Sequence, residues 1–109
     1  MKRSVTPDVL KPQLAEVHLI DVRRSADRDA LPDALPGAGW HHPEQLAQWV
    51  GELPTDRPIV LYCVRGGSVS NSVLDRLQAA GIRARYIEGG LEGWKAAGGQ
   101  TVPAGAGGR

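Results

Sequence analysis

The run Ile59–Tyr62, with Pro58 before it and Cys63 after it, places four apolar residues in a row with no polar alternation. A strand of that kind has no side to show to water, so it belongs in the middle of a sheet covered on both faces. The rest of the chain supplies matching pieces. Thr6-Pro7 reads as an N-cap followed by proline at the first helical position, opening a short helix through Val9, Leu10 and Leu14. Residues 17–22 (VHLIDV) are rich in branched apolar side chains and read as a strand with Asp21 near its C-terminal end. Residues 23–39 carry Arg, Asp, Pro and Gly and read as a loop with one helical turn.

Pro43 opens a second helix bearing Leu46, Ala47, Trp49 and Val50, which ends near Gly51. Beyond the central strand, Val69, Val73, Leu74, Leu77 and Ala80 recur at helical spacing, and Gly81 supplies the stop. Residues 85–87 form a further strand. Leu91, Trp94 and Lys95 lie on a last short helix ending at Gly98-Gly99. Strands alternating with helices at these lengths predict an α/β domain, a mostly parallel sheet flanked by helices on both faces. The domain is expected to occupy residues 1–103. Residues 104–109 (AGAGGR) have almost nothing to bury and are expected to form a flexible tail. There is no internal repeat.

A length of 109 residues suits one domain with its own core. Thirteen basic residues balance twelve acidic ones, for a net charge of +1, which gives no electrostatic reason to expect nucleic acid or an anionic membrane as partner. A single cysteine can make neither an internal disulfide nor a zinc-type set. The first residues are basic but lack the apolar run of a secretory signal, and no stretch reaches the length of a membrane span. The expected compartment is therefore a reducing cytoplasm, where a lone thiol is free to react.

That thiol sits in an informative place. In IVLYC-VRGGS-VSNSVLDRLQAAG a buried strand ends at Cys63, glycines follow, and a helix begins between Ser68 and Ser70. In open parallel sheets, ligands bind beyond the carboxyl ends of the strands. Gly66 and Gly67 permit backbone conformations that turn several N–H groups inward, and the following helix adds the positive end of its dipole. With Arg65 nearby, the loop is expected to favour the thiolate, which is the attacking form. The same cradle would hold an anionic substrate, or a persulfide left on the cysteine, without a histidine base. A cysteine after an apolar strand can also be only a small buried hydrophobe; the glycine loop and helix start favour the functional reading.

Read together, residues 19–23 (LIDVR), the PGA of residues 36–38, the VLYC that leads into the loop 63–68, and residues 88–98 (EGGLEGWKAAG) resemble the single-domain rhodanese (thiosulfate sulfurtransferase) family. The match runs from Val5 to Val102, with the four segments in the family's order and spacing. The resemblance implies a rhodanese-like fold with a five-stranded sheet. It implies Cys63 as the nucleophile that takes the outer sulfur of thiosulfate, releases sulfite and passes the sulfur to a thiophilic acceptor. The backbone N–H groups of Val64, Arg65, Gly66, Gly67 and Ser68 match the positions that cradle the persulfide. Arg65 holds a position where a cation favours thiosulfate, and Ser68 offers a hydroxyl at the last loop position. Asp21 and Arg23 match the DVR motif, implied to be structural support that ties the first strand to neighbouring loops. The implied partners are a small anionic sulfur donor and a thiol or sulfur-carrier acceptor, with no nucleic acid, membrane, cofactor or resident metal, in a monomer or homodimer.

The loop departs from the Cys-x-x-Gly-x-Arg pattern of small rhodaneses, since Ser68 replaces the final arginine. VRGGSVS is also similar to the CVxGxxVS loop of rhodanese-like domains linked to chromate resistance. Phosphatases and arsenate reductases with a related loop need an arginine five or six residues beyond the cysteine to grip an oxyanion bidentately. Ser68 and Val69 fill those slots and Arg65 comes too early. A rhodanese-like binding module, or a sensor of redox state or oxyanions, is the non-catalytic alternative. His41 and His42 with Cys63 invite a metal reading, but adjacent residues rarely face one centre, so a solvated loop is expected there. Trp40, Trp49 and Trp94 read as core or rim packing, with Trp40 a candidate for the pocket mouth. Arg23, Arg24, Arg28, Arg83 and Arg85 are most simply solvated surface.

Overall fold

The computed structural model describes residues 3–30, 33–53, 56–65 and 67–103. Gly66 and the tail at 104–109 lie outside the described residues, as does the side chain of Ser68. The central apolar run is strand β5 (Ile59–Tyr62), buried at all four positions. Its neighbours are β2 (His18–Asp21) on one side and β6 (Ala84–Ile87) on the other. The short strands β1 (Ser4–Val5) and β4 (Gly39–Trp40) complete a five-stranded sheet of order β1-β6-β5-β2-β4. All four pairings are parallel.

Helices cover both faces. On one, Leu46 and Trp49 of α3 (Leu46–Trp49) and Val73, Leu74 and Leu77 of α4 (Ser68–Ala79) pack with Ile20, Val22, Ile59, Leu61 and Cys63. On the other, Leu10 of α1 (Pro7–Leu10) and Leu91 and Trp94 of α5 (Gly90–Ala96) pack with Leu19, Val60 and Tyr62. The alternation along β5, with Ile59 and Leu61 on one side and Val60 and Tyr62 on the other, follows from the two-residue side-chain period.

Local signals set the helix ends. Thr6 caps α1 by accepting the Val9 N–H. Gly81, with φ of +81°, closes α4: Ile82 N–H donates to Leu77 O at 2.9 Å and Gly81 N–H to Gln78 O at 3.0 Å. The second helix ends near Gly51, as expected. It begins as a 3₁₀ turn (Pro43–Gln45) and ends as another (Val50–Glu52), with Ala47 exposed.

Residues 23–39 hold more order than a loop with one turn. They contain α2 (Ser25–Ala30), β3 (Asp33–Ala34) and the start of β4, and β3 pairs antiparallel with β7 (Val102–Pro103). Two-residue strands carry no periodicity to read, which is why β1, β3 and β4 escape a sequence-based assignment. Among the described residues, no helix is long and apolar enough to cross a membrane.

Candidate active site

Strand β5 delivers Cys63 to the C-terminal edge of the sheet. By strand alternation Cys63 continues the face of Ile59 and Leu61, and it packs in the layer beneath α4. The residue is 6 % exposed, while Arg65 and Gly67 after it are exposed. Cys63 therefore stands where the core gives way to the open loop.

The backbone of that loop is held from a direction the strand–loop–helix order does not reveal. The N–H groups of Leu91 and Glu92, in the first turn of α5, donate to the carbonyls of Cys63 and Val64 at 2.9 and 3.0 Å. These are donors that a helix cannot satisfy internally. Three glycines make this docking possible. Gly89 and Gly90 have φ of +77° and +59°, a turn that L side chains resist. Gly93 passes so close to the preceding segment that a Cβ there would lie 2.7 Å from the Glu88 carbonyl oxygen. The motif EGGLEGW thus fixes the two carbonyls at the start of the cysteine loop. Sequence reasoning missed this role, and the paired glycines were its available signal.

With the loop carbonyls engaged, the N–H groups of Val64, Arg65 and Gly67 donate to no backbone carbonyl among the described residues. Gly67 is the N-cap of α4 and offers no side-chain cap. The first α4 bond runs from Asn71 N–H to Gly67 O at 3.1 Å, so the N–H groups of the first turn face the loop without helical acceptors. This is an environment suited to negative charge. The Arg65 side chain lies at the surface, its Nε 3.4 Å from Glu92 Oε1, with 79 % and 51 % of the two side chains exposed. An exposed pair of that kind contributes little to stability.

Asp21 and Arg23 are placed elsewhere. Asp21 pairs in register with Tyr62, on the face opposite Cys63. Arg23 is 0 % exposed and Asp21 2 %. The Asp21 carboxylate accepts from Arg23 Nε at 3.0 and 3.1 Å, from Arg23 Nη2 at 2.8 Å and from the Arg23 backbone N–H at 3.0 Å. Of the arginines expected at the surface, Arg23 is therefore a correction: a carboxylate two residues earlier on the same face gives its guanidinium a bidentate partner inside the fold. Trp40 Nε1–H donates to the Arg23 carbonyl at 2.8 Å, and the Arg28 guanidinium lies 4.8 Å from the Trp40 ring centroid. Arg28 and Arg85 are half-buried; Arg24 and Arg83 are exposed.

Tyr62 joins the same cluster. Its hydroxyl accepts the Leu35 N–H at 3.2 Å. Burial first, and then the Asp21 carboxylate, push its pKa well above the usual tyrosine range, so it stays protonated. His41 stacks on Trp49 with centroids 4.8 Å apart, and its backbone N–H donates to Asp21 O at 2.9 Å. Burial, and secondarily His18, lower its pKa, with Glu52 opposing. His42 gives its carbonyl to Trp49 Nε1–H at 2.9 Å. Among the described residues, no group of three or more His, Cys, Asp or Glu is placed to hold a metal ion.

Comparison with known proteins adds a consistent picture. Residues 6–97 match the rhodanese-like domain family. A tRNA sulfurtransferase of Desulfurococcus amylolyticus is 36% identical over 80 residues, covering 72% of this chain and 15% of that protein. The chain thus spans a small part of the length of this curated relative. Among solved structures, a rhodanese-related protein of Thermoplasma volcanium superposes with a TM-score of 0.82 at 20% identity, covering 93% of this chain and 98% of that one. A thiosulfate sulfurtransferase of Pseudomonas aeruginosa gives a TM-score of 0.80 at 26% identity, over 97% of this chain and 20% of that one.

Proposed function

The chain belongs to the rhodanese-like domain family, and from that premise we propose that it is a sulfurtransferase that carries sulfane sulfur on Cys63. The observation that carries the reading is the position of Cys63: it directly follows the central strand, beside loop amides that have no backbone acceptor among the described residues, in the loop that leads to the N-terminus of α4. Thiosulfate, or a related small anion, is the donor. The likeness to a thiosulfate sulfurtransferase and the exposed Arg65 guanidinium support that choice, since a cation facing a dianion aids binding.

In the first step the Cys63 thiolate attacks the outer sulfur of thiosulfate. The new S–S bond forms as the old one breaks, and sulfite leaves with the bonding pair. Negative charge stays on the outer sulfur of the persulfide, where the N–H groups of Val64, Arg65 and Gly67 and the first turn of α4 can receive it. Gly66 and Ser68 complete the proposed cradle. In the second step an acceptor thiolate, from a small thiol or a sulfur-carrier protein, attacks that sulfur and Cys63 leaves as thiolate. Sulfite and thiolate are competent leaving groups, so no strong base is required. Asp21 and Arg23 take no part in either step; they hold the end of β2 from the opposite face.

Mass spectrometry of the intact protein after thiosulfate treatment tests the reading. Wild type should gain one sulfur atom, lost again on adding a thiol, and Cys63→Ser should gain none. A wild-type protein that stays unmodified by thiosulfate and by 3-mercaptopyruvate would instead be a binding or sensing module.

A further inference from the structure

Ser70 is the third residue of α4, and its hydroxyl is unused. The residue is 0 % exposed, and its Oγ has no hydrogen-bond partner among the described residues. Buried hydroxyls are ordinarily bonded, and a serine inside a helix ordinarily turns back on a carbonyl three or four residues earlier. The carbonyl three residues earlier, Gly67 O, is already taken by Asn71 N–H at 3.1 Å and Asn71 Nδ2 at 3.0 Å.

The direction of Ser70 follows from its helix. Ser70 lies three and four residues before Val73 and Leu74, so all three share one face of α4. That face packs on the sheet in the same buried layer as Ile59, Leu61 and Cys63. α4 leaves the C-terminal end of β5 and returns the chain to the start of the parallel strand β6, so its first turn stands at the level of Cys63. Sulfur and hydroxyl thus occupy one layer at one end of one strand, each on a side chain with a single χ1 rotor.

We propose that Ser70 is a sulfur-stabilising donor of this site: its O–H bonds the Cys63 sulfur when that sulfur is anionic. The backbone amides would receive charge from the loop side and Ser70 from the helix side. An unpaired hydroxyl in a buried layer strengthens its bond to an arriving anion, because no competing partner must be given up. The part this donor plays in turnover rests on the sulfurtransferase reading; its effect on the thiol does not.

The test compares the rate of Cys63 alkylation by iodoacetamide across a pH series in wild type, Ser70→Ala and Ser70→Thr, with thermal midpoints measured alongside. Ser70→Ala should react roughly tenfold more slowly near neutral pH, the size of one hydrogen bond to a charged group. Its rate should converge on wild type in alkaline solution, and its thermal midpoint should be unchanged or higher. Ser70→Thr, which keeps the hydroxyl, should stay close to wild type. Ala and wild-type rates within twofold at every pH would overturn the assignment, as would equal slowing in both variants, which would point to packing. Alkylation needs no sulfur donor. A wild type that takes no sulfur from thiosulfate therefore defeats the sulfurtransferase reading alone, and unchanged alkylation in Ser70→Ala defeats the Ser70 assignment alone.

Discussion

Replacing Asp21 with asparagine keeps the side chain's size and removes its charge. The carboxylate now takes the Arg23 backbone N–H, Nε and Nη2 at 2.8 to 3.1 Å, between residues that are 2 % and 0 % exposed. No solvent screens this pair, and arginine cannot shed its proton, so the variant takes the Asp21 carboxylate charge away from a buried cation. Breaking such a pair from one side costs about 3–5 kcal/mol. A domain of this size holds roughly 5–15 kcal/mol in total. At about 4 °C per kcal/mol, the thermal midpoint should fall by roughly 12–20 °C. Circular dichroism melts and urea titration measure the loss. The double variant Asp21→Asn/Arg23→Met, which removes both charges, should recover much of it. Persulfide formation, measured well below the variant's midpoint, should persist, because the pair lies on the sheet face opposite Cys63. A variant that melts within a few degrees of wild type yet no longer takes up sulfur would refute this account and move Asp21 into the chemistry.

Three further outcomes are expected. Arg65→Ala should leave the melting midpoint unchanged, since its pair with Glu92 is exposed, but should raise the KM for thiosulfate several-fold at low salt, with the difference fading as salt screens the charge; equal KM values at low salt would mean Arg65 does not meet the donor. Gly93→Ala puts a Cβ 2.7 Å from Glu88 O and should cost roughly 1–3 kcal/mol in a urea titration, with slower Cys63 alkylation as the α5 docking loosens. His18 and His41 have pKa values lowered chiefly by burial, so the folded protein holds them neutral. Their contribution is complete above the unfolded value of about 6.5 and declines as pH falls through it toward the lowered folded values. Thermal midpoints should therefore drop on acidification from about pH 7.5 to about pH 5.5, and less so in His41→Gln; an equal drop in that variant would clear His41 of the effect.

Much of the fold was legible because its signals are local. The unbroken apolar run 59–62 announced the central strand, the spacing of Val69, Val73, Leu74 and Leu77 announced α4, and Thr6-Pro7 and Gly81 marked helix ends. The cysteine loop was legible for the same reason: strand, thiol, glycines and helix follow one another along the chain. The short strands at 4–5, 33–34 and 39–40 were not, since a period of two cannot be read from two residues. Nor was the burial of Arg23, because a charged side chain reads as surface until a partner is placed against it.

The chain's own order of residues thus determined that a thiol would stand at the end of a buried strand before a helix. Tertiary structure alone decided what surrounds it. Residues 63 and 91 meet only because β5 and β6 lie side by side, which lets α5 seize the loop carbonyls. The pleat sends Cys63 toward α4, and Asp21, Arg23 and Tyr62 to the far side. The physical reason is one of range. Periodicity and capping act within a few residues and are written in any short window, whereas the face a side chain meets depends on which distant strand becomes its neighbour.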